Sequence, residues 1–257
     1  MNYRDKINKL KKIYIELFQS YEKYIRKQEF FPSFGGIFIN PFYHARKVLA
    51  REISDLAGFI HGSVLDVGCG KKPYESLFVC DQYIGLELDT PENRQNPKVD
   101  WFYDGKHIPA KDEYFDNIVM FEVFEHVFNP DEFMAELNRV LKPGGAMLMT
   151  APFVWDEHSQ PYDYARYSSF GLKFILEKHG FKIVESRKTL SDIRIIFQLI
   201  NSYIFRFLNT RNTNMNMFLC LIFMSPFNIL GRVLCKVLPK NADLYLDNVI
   251  LGKKVAL

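Results

Sequence analysis

Short apolar runs alternate with helical stretches between residues 63 and 186, and this alternation constrains the fold more than any other feature of the chain. Residues 63–67, 83–86, 99–103, 117–121, 146–151 and 181–186 each have the length and apolar content of a buried strand. Between them lie helix signals. Residues 73–78 begin a helix behind the first strand. Asn129-Pro130-Asp131-Glu132 caps another, which carries Arg139 and Lys142 near its end to match the helix dipole, and "KPGG" stops it. Ser168 or Ser169 caps the next, which ends at Gly180. Such an order predicts an α/β fold, a mostly parallel sheet with helices on both faces.

The flanks differ. Ile7, Leu10, Tyr14, Leu17, Phe18, Tyr21 and Ile25 recur at helical spacing, "FFPSFGGIF" breaks the pattern, and Asn40-Pro41 starts a helix running to about Ala57. Residues 191–240 read as helical and rich in Ile, Phe and Leu, and residues 245–251 alternate like a terminal strand. We therefore expect an N-terminal helical extension over 1–60, a core over 61–190, a helical insert over 191–240 and a last core strand within 241–257. At 48% hydrophobic, 257 residues suffice for a full core. A net charge of +3 without a basic block argues against a nucleic-acid partner. The four cysteines have no zinc spacing, so no metal is expected and reduced thiols fit a cytoplasmic protein.

The first strand ends in "VLDVGCGKKPY", an acid followed by Gly68 and Gly70. Such a turn holds either a pyrophosphate or the amino-acid end of S-adenosylmethionine. A nicotinamide fingerprint needs a third glycine where this chain has Pro73, and Asp66 would repel phosphates while attracting an ammonium group. Glu87 closes the second strand about twenty residues on, placed to accept from a ribose diol, and Asp104 follows the third strand.

Together "LDVGCG", "GLELD", "YDGKHIP", "FDNIVMFEVFEHV" and "ELNRVLKPGGAMLMTAPF" resemble the class I S-adenosylmethionine-dependent methyltransferases, closely over residues 64–181. The resemblance implies a Rossmann-like seven-stranded sheet whose last strand is antiparallel. It also implies S-adenosylmethionine as cofactor, with Asp66, Gly68, Cys69 and Gly70 at its methionine end, Glu87 on the ribose, Asp104 and Gly105 at the adenine, and Glu122 nearby. Lys72 stands where many members have a third glycine.

Two segments reach the acceptor end of such a sheet. "EVFEHV" offers Glu122, Glu125 and His126; "PFVWDEHSQPYDYARYS" offers His158, Asp163, Tyr164, Arg166 and Tyr167. His158, Pro161, Asp163, Arg166 and Tyr167 resemble a pattern found in bacterial methyltransferases associated with surface-polysaccharide biosynthesis. That implies a sugar or glycan-linked acceptor, with His158 as base, Asp163 orienting hydroxyls, Arg166 on an anionic group, and His126, Tyr164 and Tyr167 beside the substrate. A structural alternative has Asp163 and Arg166 pair with each other to lock the loop. Another small molecule as acceptor, or a non-catalytic cofactor binder, remains an alternative. Residues 217–230, the most apolar run, are too short for a lone membrane span and contain Pro226, so the insert is expected to pack, form a lid or dimer contact, or lie on the inner membrane face.

Overall fold

The computed structural model describes residues 3–255. The chain opens with helices α1 (Tyr3–Phe30), α2 (Gly36–Ile39) and α3 (Tyr43–Leu56). It continues through strands β1 (Ser63–Val67), β2 (Gln82–Leu88), β3 (Trp101–Tyr103) and β4 (Phe115–Phe121). Helix α4 (Pro130–Val140), strand β5 (Leu141–Pro152), helix α5 (Ser169–Lys178) and strand β6 (Phe181–Lys188) follow. The insert comprises α6 (Arg194–Leu208), α7 (Thr213–Leu219) and α8 (Ser225–Leu234), and strand β7 (Asp247–Lys254) closes the fold.

Among the described residues seven strands form one sheet in the order β3-β2-β1-β4-β5-β7-β6, parallel except for β7, which runs antiparallel to both β5 and β6. Period-two alternation splits the core. Leu65, Val67, Ile118 and Met120 face α4 and α5, where they meet Met134, Leu137, Leu172 and Leu176. Val64, Val119, Leu148 and Leu251 face the other way, onto Leu49, Ile53 and Leu56 of α3. Phe115, Leu65, Met134 and Leu137 have no exposed surface, so each contributes on the order of 2–3 kcal/mol by burial.

Two expectations are corrected here. The helix predicted from residue 73 is a single 3-10 turn, Glu75–Leu77. Lys72 leaves the loop at φ +52, and Tyr74 turns inward, edge-on to Phe31 and Phe121, which leaves too little chain before β2 for a full helix. The apolar run around Pro226 is also longer than the sequence reading allowed. Thr213–Leu234 is one helix, long and apolar enough by length and composition to cross a membrane. A π-turn, Cys220–Met224, absorbs the donor missing at Pro226, which falls in the first turn of α8.

The extension and the insert lie far apart in sequence and pack together. Asn228 Nδ2 donates to Ile37 O (2.9 Å) and Asn40 O (3.2 Å), and its Oδ1 accepts from Asn201 Nδ2 (2.9 Å). His44 Nε2 donates to Asn228 O (2.9 Å), and burial pushes this imidazole down to about 4. Because β6 runs with β5, the insert leaves the sheet at the edge where β1, β4 and β5 also end. Replacing Asn228 with the isosteric Leu orphans two buried carbonyls and the Asn201 amide. We expect Asn228→Leu to lose about 2–3 kcal/mol in urea unfolding, with proteolytic nicking appearing first within α6–α8.

Candidate active site

The strand order reverses between β1 and its paired neighbour β4, and the turn after β1 wraps back over β2 at that point. Gly68 N and Cys69 N both donate to Leu86 O, at 2.9 and 3.2 Å. Gly68 adopts φ +67, and a Cβ there would lie 2.4 Å from Val123 Cγ2, so only glycine fits. Gly70 N donates to Glu87 Oε1 at 2.7 Å, tying the turn to the end of β2. Lys72 takes the left-handed position of the absent third glycine and runs its stem across Gly85 to an ion pair with Asp100. A Cβ at Gly85 would meet Lys72 Cε at 2.5 Å and Cys69 Sγ at 2.6 Å. Burial pushes the Cys69 thiol up to about 12, so it serves as a small filler.

The predicted cofactor residues are spread around this turn. Asp66 lies on the same strand face as Val64, 3% exposed, and accepts from Tyr83 Oη at 2.9 Å; burial pushes it up to about 7. It sits beneath the turn. Glu87 keeps capacity on Oε2, whose contact with Asn93 Nδ2 is a long 3.4 Å, and burial raises its pKa. Asp104 Oδ1 accepts from His107 N (2.7 Å) and Lys106 N (2.8 Å), which hold its carboxyl down at about 2 and make it the pin of that turn. Gly105, at φ +87, packs against the exposed Leu88.

A second group gathers where β4 and β5 end. Glu122 adopts φ +55, its N–H donates to Thr150 O and Oγ1, and its buried Oε1 has no partner. Burial raises its pKa, opposed by the charge of Arg46 from α3. Glu125 is fully buried with neither carboxylate oxygen hydrogen-bonded, and burial, reinforced by Glu122, pushes it up to about 9. His126 Nε2 and His158 Nε2 each lie 3.7 Å from Glu125 Oε1, and the two rings meet edge to face with centroids 4.7 Å apart. Burial lowers the His126 pKa.

Asp163 and Arg166 adopt the pairing that the sequence left as an alternative. Arg166 Nη1 and Nη2 donate to Asp163 Oδ1 and Oδ2 at 2.5 and 2.6 Å, and Asp163 Oδ2 also accepts from His158 N at 2.9 Å. Their charges are spent on each other and on holding the histidine loop. Tyr164 is exposed, edge-on to Phe128, whereas Tyr167 leans into the core against Phe124. Glu125 was visible in "EVFEHV" beside Glu122 and His126, but nothing marked it as the point on which both imidazoles converge. Arg46 and Asp247 were missed: each stands in an ordinary amphipathic context and gains significance only when α3 and β7 fold against Glu122. A cleft of about 790 Å³ opens from Arg46 outward between α1 and α7, lined by Phe18, Tyr21, Phe42, Phe205 and Arg211 among others.

Residues 42–186 match a family model described as a methyltransferase domain. The chain is 29% identical over 136 residues to a probable S-adenosylmethionine-dependent methyltransferase of Mycolicibacterium smegmatis, a match covering 48% of this chain and 53% of that protein. The chain thus aligns with about half the length of this relative. It is 26% identical over 175 residues to an O-methyltransferase of Aspergillus nomiae, covering 58% of this chain and 76% of that one. Among solved structures, an S-adenosylmethionine-dependent methyltransferase from Archaeoglobus fulgidus superposes with a TM-score of 0.54 at 17% identity, over 86% of this chain and all of that one, a likeness of fold.

Asp66 generates a pH test. Its folded pKa, about 7, lies above the unfolded carboxylate value, so its contribution is fully present below about pH 4 and lost as pH rises through 7. Without ligand, Asp66→Asn should be more stable than wild type at pH 8 by about 3–4 kcal/mol, with the difference closing toward pH 4. Equal urea midpoint differences at pH 5 and pH 8 would refute this.

Proposed function

The chain belongs to the methyltransferase domain family, and we propose that it transfers a methyl group from S-adenosylmethionine to an oxygen of a sugar or glycan-linked acceptor. The observation that carries the cofactor assignment is the glycine turn clasped to Glu87. A Cβ at Gly70 would meet nothing within 4 Å, Glu87 Oε2 has accepting capacity left, and Glu122 Oε1 is a buried acceptor without a donor. These groups fit an aminoacyl nucleoside. We assign the ribose to Glu87, the adenine border to Gly105, Asp104 and Leu88, and the methionine end to the backbone of Gly68 and Gly70. Glu122 takes the ammonium group and Arg46 the carboxylate, while Asp66 and Cys69 hold the turn from below.

When bound, the cofactor supplies a methyl group made electrophilic by its sulfonium. The protein's part is alignment, which in favourable cases is worth roughly 7–11 kcal/mol, together with removal of the acceptor proton. We assign that proton to the cluster at the ends of β4 and β5, with His158 as the accepting group and Asp163 as its positioning residue. Asp163 receives the loop's own N–H from His158 and balances Arg166, so the imidazole is held toward Glu125 and His126. The exposed rings of Tyr164 and Phe128 beside the histidines offer stacking faces for a pyranose. The O-methyltransferase relative supports an oxygen acceptor. The cleft beyond Arg46 has the volume of a ligand site and carries aromatic rings with charges of both signs, Arg46 and Arg211 beside Glu29 and the Arg26–Glu22 pair, which suits a polar acceptor.

A lipid-linked glycan would explain the exposed apolar surface of the insert. Phe207 is 71% exposed and Phe218 is 56% exposed, Leu221, Ile222 and Val233 are also bare, and Arg211, Lys236 and Lys240 flank them. An apolar face rimmed by cations suits an anionic bilayer surface.

Calorimetry should give saturable S-adenosylmethionine binding in wild type, weakened about 10- to 150-fold in Glu87→Ala, the loss of one charge-assisted interaction. Absence of binding to wild type would sink the assignment. With labelled cofactor, label should pass to a nucleotide-sugar or lipid-linked glycan fraction; label found only in RNA would overturn the acceptor. Co-sedimentation with phosphatidylglycerol vesicles should fall in the double variant Phe218→Glu, Ile222→Glu and at high salt, and neutral vesicles should retain less protein. Equal retention of wild type and variant would exclude this face as the membrane contact.

A further inference from the structure

Proton bookkeeping at the ends of β4 and β5 leaves an excess of acceptors. His126 Nδ1 lies 2.6 Å from Tyr162 O, and a carbonyl only accepts, so Nδ1 carries the proton and Nε2 presents a lone pair. His158 Nδ1 faces Asp156 O at 3.3 Å and Asp163 Oδ2 at 3.4 Å, two acceptors again, which leaves Nε2 as the ring nitrogen turned toward Glu125. Both Nε2 atoms point to Glu125 Oε1, whose carboxylate is fully buried with neither oxygen partnered. Three groups that can each offer a lone pair thus converge, and the buried one has no hydrogen-bond partner on either oxygen, an arrangement that is costly unless something fills it.

A proton on Glu125 does not resolve the arrangement. The 3.7 Å separations are too long for a hydrogen bond from the carboxyl to either imidazole. They are close to the spacing of two ligands across a shared ion, about 3.3 Å for ligands about 2.0–2.1 Å from a tetrahedral centre. All three ligand atoms fall within 4.8 Å of one another. The supporting contacts also have the form that metal sites use, each imidazole anchored through its other nitrogen by a carbonyl or carboxylate. Arg166 does not spoil the site, since Asp163 takes its charge in a two-pronged pair.

We propose that Glu125, His126 and His158 bind one divalent transition cation, zinc or a first-row neighbour, beside the methyl acceptor. Two imidazoles and one carboxylate suit such an ion, and the partial exposure of both histidines (23% and 36%) leaves its remaining positions open to an acceptor. This rests on the methyl-transfer reading and refines it. In the loaded protein His158 is a ligand, and the acceptor hydroxyl loses its proton to water because the cation acidifies it. The oxygen pair then forms the new bond to the methyl carbon, and the carbon–sulfur bond breaks with its pair returning to sulfur.

The test uses the full chain, stripped with chelator and titrated with Zn²⁺ by calorimetry and with Co²⁺ by visible absorption. Wild type should bind one equivalent with a ligand-field spectrum. Glu125→Gln and His158→Gln should abolish it, and Asp163→Asn should weaken it about 10- to 100-fold. Should Glu125→Gln fail to fold by circular dichroism, His126→Asn and His158→Gln, at partly exposed positions, carry the same expectation. No stoichiometric binding by wild type, or binding as tight in the folded ligand variants, overturns the site. Titrating S-adenosylmethionine into the same samples separates the two readings. Cofactor binding without cation binding returns the acceptor proton to His158, whereas cation binding without cofactor binding keeps the site and ends the methyltransferase assignment.

Discussion

The clasp between the turn after β1 and strand β2 organises everything around it. Two backbone donors of the turn share the Leu86 carbonyl, a third reaches the Glu87 carboxylate, and the Lys72 ammonium crosses Gly85 to Asp100. These contacts fix the crevice at the switch point before any ligand is considered. They also explain how the loop dispenses with its third glycine. A lysine can hold a left-handed backbone when its side chain is buried in an ion pair that offsets the steric cost, about 1–2 kcal/mol.

Against that rigid side stands a strained, acid-rich one. Glu122 is left-handed and half-buried with one oxygen shut off from solvent, and Glu125 and Asp247 are buried near the ends of β4, β5 and β7. Burying carboxylates this closely costs stability, which proteins accept mainly where chemistry needs it. Arg46 and Arg166 supply the nearby compensation, one from α3 and the other from the histidine loop. The two halves of the crevice are therefore built differently, one by backbone hydrogen bonds and the other by side-chain charges.

Much of the frame was legible in the sequence because strand periodicity and turn chemistry are local. β1 falls on the residues expected of it, Ser168 caps α5 through its hydroxyl to Gly171 N, and β7 closes the sheet antiparallel. The misses came from tertiary effects. The helix after the glycine turn gave way because Tyr74 is drawn into an aromatic cluster, and the apolar stretch past Pro226 ran on because a π-turn accommodates the proline. At the site, residue types were readable but partners were not. One oxygen of Asp104 is taken up by its own turn, and Asp163 pairs with Arg166 as the structural alternative had it. Glu125 acquired its meaning only when His158, more than thirty residues on, folded against it.

One small contact has a mechanical consequence. Asp156 sits two residues ahead of His158, accepts from Ser202 of α6 at 3.2 Å, faces Arg206 at 3.4 Å, and lends its carbonyl to Arg166. The loop carrying the histidine is thus moored to the insert as well as to the sheet. The segment that carries the imidazole therefore takes part of its alignment from α6, outside the sheet.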